Sequence, residues 1–529
     1  MRRLRPWFAS AVLLTALNTG LTGQATDARP LSLEEALRLA RPASEAVALA
    51  RVAVDRARGQ HQVARSGLLP QLSGSLSYTR QLRSQFENVF GSSEPDTASV
   101  PAPSSCDAFA ADPTRPIADR LDALERSVAC VTTVNPFGSF SNLPFGQRNT
   151  YTLGLTASQM VFDGGRTLGN IRAANAGRSS AAIGVTSAEA QLIVDVVNAY
   201  YDAVLGDRLL EIATTALAQS DTTLAQTRLR HDLGTVPEFD LLRATVARDN
   251  QRPVVIQAKA RRDLAHLRLR QHLDLRGDEP LVLTTALTDT ALASTPSLAA
   301  MASASPDTAA ANRATVRQAA EAVRAQEGLD QASRAQRLPA LTLSSQYTRI
   351  GYPSRGFPAW DEFLTDWNVA LGVQVPIFTG GRLSGDRTQA RAAVAEAKLR
   401  HQQATKAAAL DGYNAVAQRD AALAAWSASE GTANQAARAY QIAELRFREG
   451  ISTQTELLDA RLALQQAETN RAQAARDLQI AKVRLALLAD LPLGAQDAGI
   501  VQPSAAPAPS PPQAAPRAAT ATTGNQRLP

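Results

Sequence analysis

The sequence repeats itself, and the register of the repeat constrains what the chain can fold into. Gly165 returns as Gly381, 216 positions later (381 − 165). Gly234 returns as Gly450 at the same spacing. Since no insertion separates these landmarks, each half must hold one long element of fixed length between its Gly-Gly pair and its later glycine. A duplicated chain of this kind predicts an architecture of two equivalent repeats.

The two halves differ by one insertion, which lies in the first half. Pro70 and Pro339 also match, but they are 269 positions apart (339 − 70). The excess of 53 positions (269 − 216) lies between Tyr78 and Tyr151. The first repeat is therefore expected to carry one additional loop that the second repeat lacks.

Residues 1–25 are predicted to be an export signal, because three arginines precede an apolar run that ends near Leu17. We expect cleavage near Ala25 or Ala28. A membrane anchor is the alternative, but the run is shorter than the about 20 residues that span a bilayer. No later run is apolar over a spanning length, so no transmembrane helix is predicted in the rest of the chain.

The only cysteines, Cys106 and Cys130, both lie inside the insertion. Two thiols within one loop of an exported protein are expected to pair as a disulfide. Closing a loop of this size would restrict the unfolded segment by about 3 kcal/mol on the chain-entropy model. Two reduced thiols are the alternative.

Four stretches alternate between apolar and polar residues, as strands with one apolar face do. They lie at about 71–79, 150–162, 340–349 and 367–378, with the insertion loop at about 79–149. No other convincing strand is present, and four strands cannot close around anything without other copies of the chain. Strands of about 10 residues with outward apolar faces suit a transmembrane barrel. A small soluble sheet packed on helices is the alternative.

A long helical pattern without proline follows each Gly-Gly pair, from Arg166 to Leu233 and from Arg382 to Glu449. At about 1.5 Å per residue, each helix would be about 100 Å long. A second helix returns after each later glycine. The pattern is sharpest in the second half, where leucines recur seven apart, broken only by Arg471, with small residues on one seam. Such a pattern is typical of coiled-coil helices packed side by side. Pro253 interrupts the first returning helix and predicts a kink.

The repeats and their connections divide the chain. We assign the first repeat to 31–272, an irregular, proline-containing connection to 273–306, and the second repeat to 307–490. The first repeat opens with one helical pattern from Leu31 to Leu69. Residues 491–529 are dominated by Pro, Ala, Gln and Ser, and we expect them to be disordered.

In this order the elements resemble the TolC-like outer-membrane efflux proteins over about residues 31–490. The resemblance is carried by Leu31–Leu37, the two Gly-Gly-Arg strand ends and Tyr440–Ala460. It implies a mainly helical fold with a membrane β-barrel. Three chains of four strands would close a twelve-stranded barrel in the outer membrane of a Gram-negative bacterium. Their long helices would continue it as a tunnel across the periplasm.

The resemblance also implies partners: outer-membrane lipid, a periplasmic adaptor (membrane fusion) protein and an inner-membrane pump. The adaptor would contact the tips, the two turns about 100 Å from the barrel by helix length. The residues implied at this contact lie in the tip turns: Gly234, Thr235, Val236, Gly450, Ile451 and Ser452.

Three acids match the acidic gate positions of the family: Asp240, Glu456 and Asp459. Glu456 and Asp459 are three apart and share a helix face. Solvated acids that favour a helix dipole are the alternative. The chain departs from the family's best-known members, which hold the gate shut with an arginine and a tyrosine where this chain has Ser452 and Phe447.

Nothing in the sequence indicates catalysis. The five histidines are dispersed without metal-ligand spacing, and the Gly164-Gly165 turn lacks the glycine pattern of a phosphate loop. The net charge of +6 comes from 55 basic and 49 acidic residues of mixed order, which argues against a nucleic-acid surface. We therefore predict neither an enzyme nor a cofactor or metal site.

The leading interpretation is a passive exit duct that serves efflux or type I secretion. The alternative is a soluble periplasmic coiled-coil adaptor or scaffold protein. Adaptors usually contain a domain of many short strands, which this sequence lacks.

Overall fold

The structure is a computed structural model of the chain. It describes residues 29–83, 112–133, 149–275, 281–287, 295–296, 298–299, 306–353 and 356–493. The predicted signal peptide and most of the predicted tail lie outside these residues. So do Cys106 and the side chain of Cys130, and their disulfide stays a prediction.

The described residues form short and long elements in a repeated order. The strands are β1 (Arg29–Leu31), β2 (Gln71–Arg80), β3 (Asn149–Phe162), β4 (Leu281–Leu283), β5 (Ala340–Gly351) and β6 (Leu364–Gln374). The helices are α1 (Leu33–Ala43), α2 (Glu45–Ser66), α3 (Ile117–Thr133), α4 (Arg166–Asp232), α5 (Glu238–Leu273), α6 (Ala314–Ala335), α7 (Arg382–Arg448) and α8 (Gln454–Ala486).

Four strands form one antiparallel sheet in the order β2-β3-β5-β6. Its register places apolar residues opposite one another: Leu76 pairs with Leu153, and Tyr347 lies between Leu155 and Trp367. Side chains at every second position of a strand share a face, so these pairs build one continuous apolar face. The sequence periodicity predicts this arrangement.

The last strand of the sheet ends earlier than the sequence pattern indicates. The alternation extends to about residue 378, but β6 ends at Gln374, which pairs with Ala340. β5 begins at Ala340, and the residue before it is Pro339, which has no N–H to donate to a strand ladder.

The four predicted strands are present, but the expectation of no further strand is wrong. The described residues contain a second, parallel sheet in which Arg29, Pro30 and Leu31 of β1 pair with residues 281–283 of β4. Strands of three residues are too short to show a period of two, so the sequence pattern could not reveal them.

Two helical segments also differ from the sequence patterns. The single helical pattern from Leu31 to Leu69 is divided at Ser44, which follows α1 and whose Oγ accepts a hydrogen bond from the N–H of Val47 in α2, 3.3 Å away. A serine in this position caps the second helix. The insertion, predicted as a loop, contains the 17-residue helix α3.

The long helices α4 and α7 are each 67 residues long, as the fixed spacing of the glycines requires. Asp163 fixes the start of α4, since its carboxylate accepts hydrogen bonds from the N–H groups of Gly165 (3.0 Å) and Thr167 (2.7 Å). Burial alone would raise the pKa of Asp163, but these hydrogen bonds outweigh it and lower the pKa below its usual value. α5 runs through Pro253 as one helix.

A cluster of buried side chains surrounds the middle of α4. Val196, Val197, Tyr200 and Tyr201 of α4 are at most 1% exposed and pack with Leu31 and residues of α1 and α5. The Tyr200 hydroxyl donates to the C=O of Leu31 (2.9 Å) and accepts from the N–H of Thr285 (3.0 Å). Tyr200 therefore ties α4 to the last residue of β1 and to the segment that follows β4.

The chain divides into two compact units that do not follow the two repeats. One contains residues 1–60, 172–327 and 391–529, and the other contains residues 61–171 and 328–390. The four-stranded sheet belongs to the second unit. The buried cluster around Tyr200 and both tip turns belong to the first.

One helix of the described residues is long and apolar enough to cross a membrane by length and composition. It is α4, whose most apolar window has a mean hydropathy of 1.3 and is 28% buried. The sequence analysis predicted no apolar run of spanning length after the signal. By the criteria of length and composition, that prediction is wrong for α4. The core helix of a soluble protein passes the same test, and α4 supplies Val196, Val197 and Tyr200 to the buried cluster.

Adjacent tyrosines give a matched test of this core. Tyr200→Phe removes the partner of the buried C=O of Leu31 and of the half-buried N–H of Thr285, so the free energy of unfolding should fall by about 1 to 3 kcal/mol. Tyr201→Phe should be neutral or stabilising, because the buried Tyr201 hydroxyl has no hydrogen-bond partner among the described residues. Chemical denaturation followed by circular dichroism measures both. Equal losses in the two variants would contradict the contacts assigned to Tyr200.

Candidate functional site

Two matched turns, at Gly234 and Gly450, join the long helices to the returning helices. Both glycines have positive φ, +73° and +74°. In the first turn the N–H of Thr235 donates to the C=O of Arg230 (2.9 Å) and that of Gly234 to the C=O of His231 (2.8 Å). The second turn repeats the two bonds at 2.8 and 3.1 Å. This pair of bonds is the Schellman motif, which favours glycine at its left-handed position.

The returning helices begin differently after the two turns. In the second turn the Thr453 Oγ1 accepts a hydrogen bond from the N–H of Glu456, 3.3 Å away. Pro237 stands at the matching position before α5 and caps nothing with its side chain. The start of α8 is therefore capped by a side chain and the start of α5 is not.

The six residues predicted at the adaptor contact all lie in or beside these turns. Gly234, Thr235, Gly450 and Ile451 are exposed. Val236 and Ser452 are half-buried. Ile451 is 69% exposed, although a large apolar residue is usually covered.

The predicted acidic residues lie on the first two turns of the returning helices. Asp240 on α5 and Glu456 on α8 occupy the same position of the two repeats, 216 apart (456 − 240), and Asp240 is half-buried. Glu456 and Asp459 are exposed, and a carboxylate oxygen of Glu456 lies 4.0 Å from the guanidinium of Arg446. At this distance between exposed groups the pair contributes little to stability.

The two positions that depart from the family pattern lie in different surroundings. Phe447 is 7% exposed and packs with Tyr440 and Leu457 in a small cluster. The Arg230 guanidinium lies 5.0 Å from the centre of its ring. The Oγ of Ser452 is buried and has no hydrogen-bond partner among the described residues.

The helices α4 and α5 form the first helical hairpin, and α7 and α8 form the second. The sequence analysis did not identify Arg230, which connects these two hairpins. Its guanidinium donates to the C=O of Phe447 (3.1 Å) and to that of Arg448 (2.7 Å). A cation at the last carbonyls of a helix satisfies free acceptors and favours the helix dipole. The sequence does show an arginine at the same repeat position in both halves, Arg230 and Arg446. This pattern does not show which of the two donates hydrogen bonds to the other hairpin.

Further contacts between the hairpins follow along the returning helices. The Arg243 Nη1 donates to the Thr455 Oγ1 at 2.5 Å, and the Arg461 Nη1 donates to the Ser220 Oγ at 2.6 Å. Arg243 occupies the repeat position of Asp459 (459 − 243 = 216). The same repeat position therefore carries opposite charges in the two halves. Arg243 in the first repeat donates a hydrogen bond to the second hairpin, and Asp459 in the second repeat is an exposed acid.

A charged group also joins the two helices of the first hairpin. The Asp207 carboxylate accepts from Arg262 (2.8 Å) and lies 3.0 Å from the Nε2 of His266. Burial alone would raise the pKa of Asp207, but the bonds to His266 and Arg262 outweigh it and lower the pKa. Within the described residues no group of three or more His, Cys, Asp or Glu could hold a metal ion. We read this group as structural.

Arg230 and its neighbour Arg448 give a matched test of the contact between the hairpins. Arg230→Ala should raise amide exchange at Gly450 and Ile451 by about tenfold, since a hydrogen bond to a charged group contributes on the order of 1.5 kcal/mol. Arg448→Ala removes the same charge from an exposed side chain and should leave exchange unchanged. Hydrogen exchange with mass spectrometry measures both. No difference between the variants would show that Arg230 does not hold the second turn.

Comparison with known proteins identifies relatives in sequence. The family model described as outer membrane efflux protein matches residues 138–274 and 305–489, more than half of the chain. Outer membrane efflux protein BepC of Brucella suis biovar 1 (strain 1330) is 27% identical over 259 residues, which are 48% of this chain and 53% of that protein. The chain thus spans about half the length of this curated relative in the match.

Solved structures share the fold. CusC superposes with a TM-score of 0.65 at 17% identity, over 86% of this chain and 91% of CusC. The outer membrane channel CmeC of Campylobacter jejuni gives 0.63 at 16% identity, over 88% of each chain. VceC of Vibrio cholerae gives 0.63 at 18% identity, over 86% of this chain and 95% of VceC. The predicted fold class, long helices with four antiparallel strands, and the resemblance inferred from sequence are confirmed: the chain belongs to the outer membrane efflux protein family.

Proposed function

We propose that this chain is the outer-membrane channel of a tripartite efflux system. It gives passive exit to substrates that an inner-membrane pump delivers through a periplasmic adaptor. The family is one of outer-membrane channels rather than enzymes, so the chain belongs in the outer membrane with its helices in the periplasm. We name efflux rather than type I secretion because the family description does.

The observation that carries the proposal is the exposed apolar face of the four-stranded sheet. Leu72 on β2 and Val369, Leu371 and Val373 on β6 are each between 64% and 74% exposed. A soluble protein rarely leaves such a patch uncovered. Lipid would cover it in the arrangement that barrel strands adopt, with apolar side chains outward and polar ones inward.

The edges of the same sheet support assembly of several copies. β2 and β6 are its outer strands, and each has one partner within the described residues. Open strand edges tend to pair with another chain. TolC-like channels form trimers with efflux partners. Pairing β6 of each copy with β2 of the next would close three sheets into one twelve-stranded barrel.

The tips are the proposed contact with the periplasmic adaptor. The contact would be made by residues of both turns: Gly234, Thr235, Val236, Gly450, Ile451 and Ser452. Two features support this role. The turns have the same backbone geometry in both repeats, so a trimer would present six equivalent turns to a partner. Exposed apolar side chains, Leu233 and Ile451, accompany them, and contact with a partner would remove their apolar surface from water.

The acids beyond the tips are the proposed gate. Asp240, Glu456 and Asp459 lie on or near the first turns of the returning helices, and three copies would arrange them as rings of carboxylates. A carboxylate ring in a narrow pore raises the local concentration of cations. Ser452 provides no charged partner for these acids, so the resting aperture would depend on other contacts such as those of Arg230.

A soluble periplasmic adaptor or scaffold is the competing function. The helical hairpins alone would be compatible with a soluble scaffold, but the exposed apolar face of the four-stranded sheet is not. Fractionation without detergent separates the two, because a channel sediments with outer membranes after a carbonate wash and a scaffold stays soluble. Purified protein added to planar bilayers should then give stepwise conductance. A soluble protein without conductance would overturn the proposal.

The proposed gate is tested by removing two carboxylates. Glu456→Gln with Asp459→Asn should weaken cation preference and divalent-cation block in bilayer recordings, because the local negative charge is lost. Stability should change by no more than about 1 kcal/mol, as for other exposed acids. Glu468→Gln, about three turns further along α8, is the control and should leave selectivity unchanged. Unaltered selectivity in the double variant would exclude these acids from the constriction.

A further inference from the structure

The helix α3, which lies in the insertion, has one apolar face that is exposed in the part of the chain that the structure describes. Its large apolar residues are Ile117, Leu121, Leu124 and Val128, which are 73%, 58%, 41% and 53% exposed. Successive spacings of four, three and four residues place them on one side of the helix. A helix normally buries such a stripe against another element.

The spacing of the stripe is that of a coiled-coil seam. With Leu121 and Val128 at heptad position a, Ile117 and Leu124 fall at position d. Such a seam is narrower than the apolar face of a helix that packs on a globular core, and it suits contact with equal helices. The helix has 17 residues, and a helix this short is only marginally stable in water without a partner.

Two charged residues beside the seam are complementary between copies of the helix. Arg120 falls at position g and Glu125 at position e of the next heptad. In parallel helices, a residue at g lies beside the residue at e five positions later in the neighbouring helix. Within one helix, five residues turn the chain about 140° past a full turn, so Arg120 and Glu125 do not face each other there.

A lipid surface fits α3 less well than a second copy does. The helix contains three acidic residues, two basic residues and no aromatic residue. Helices that lie on membranes are rich in Lys and Arg on the polar face and carry Trp, Phe or Leu on the apolar face. An anionic lipid surface would also repel a helix with net negative charge.

We infer that α3 packs through this seam against the α3 helices of two other copies, as a parallel three-helix bundle. The inference deepens the proposed function and rests on its trimer. It assigns a role to the insertion that the trimer itself does not require. Since the bundle takes one helix from each copy, a single insertion per chain suffices, which agrees with its presence in only one repeat.

The connections place α3 at the end of the sheet opposite the long helices. Arg80 ends β2 and pairs with Asn149, which begins β3, whereas α2 and α4 adjoin the other ends of these strands. Between Thr133 and Asn149 lie 15 residues (149 − 133 − 1). They can extend over at most about 50 Å, which exceeds the radius of about 12 Å of a twelve-stranded barrel. The three helices can therefore meet on the axis at the outer mouth.

The seam residues of α3 do not by themselves select three copies. Leu121 at a with Ile117 at d favours three or four helices, whereas Val128 at a with Leu124 at d favours two. The proposed barrel would set the number, and α3 would add a contact outside it. Loss of that contact should leave three copies assembled.

A charge exchange tests the inference in the full chain in mild detergent. Arg120→Glu alone and Glu125→Arg alone should each raise amide exchange in α3 by about threefold to tenfold, because like charges then meet between helices. In an isolated helix, Arg120→Glu near the N-terminus would instead favour the dipole and slow exchange. The double variant should return exchange to the parent value. Asp122→Arg, at b and away from the seam, is the control and should change nothing.

Cross-linking tests the same contact without relying on charge. Leu124→Cys should give a two-chain band on a non-reducing gel after oxidation, because residues at d face one another across the bundle. Arg126→Cys, at f on the opposite side of the same helix, is the matched control and should give none. The parent chain reports any background from Cys106 and Cys130. Both variants should remain trimers in detergent.

The outcomes separate the bundle from the proposed channel. A trimeric parent in which the double charge variant does not recover and Leu124→Cys does not cross-link would overturn the bundle and leave the channel standing. Coverage of the seam by residues of the same chain would give that result. Equal cross-linking at Leu124 and Arg126 would also overturn the bundle. A parent that is not trimeric would overturn both.

Discussion

The open hydrogen-bonding edges of β2 and β6 are the constraint on which the rest of the architecture depends. Each edge carries N–H and C=O groups that the four-stranded sheet cannot satisfy by itself. In hydrocarbon an unsatisfied backbone group costs several kcal/mol, so a sheet with a lipid-facing apolar surface must close. The proposed trimer follows from this need for closure.

Duplication repeats a backbone while allowing the side chains to diverge. The long helices have equal lengths and end in the same turn at Gly234 and Gly450. The side chains at matched positions then take different tasks. Arg230 binds the carbonyls of the other hairpin, whereas Arg446 lies 4.0 Å from Glu456. Equal backbones with unequal side chains thus let one repeat position make different contacts in the two repeats.

The sequence predicts features that repeat over long distances or have fixed chemistry. The length of α4 and α7 follows from glycine spacing, and the tip turns follow from glycines that tolerate positive φ. Strands of ten or more residues show their period. The two three-residue strands and the break at Ser44 were missed, since short elements depend on tertiary contacts rather than on local periodicity. The 17-residue helix inside the insertion was missed because the insertion was identified only as residues that the second repeat lacks.

The candidate site could be predicted only in part, for a similar reason. The position of Asp240, Glu456 and Asp459 after the turns is local and therefore readable from the sequence. The donation by Arg230 to carbonyls of Phe447 and Arg448 joins residues more than two hundred positions apart. Every residue has a backbone carbonyl, so the sequence does not indicate which carbonyls accept a hydrogen bond from a distant side chain.

We propose that one chain forms a third of a closed barrel. Native mass measurement of the purified protein in mild detergent should therefore find a single species of three copies, with no stable smaller form that keeps its sheet. A monodisperse monomer that retains the four-stranded sheet would show that the open edges of β2 and β6 need no neighbour, and would refute the proposed closure.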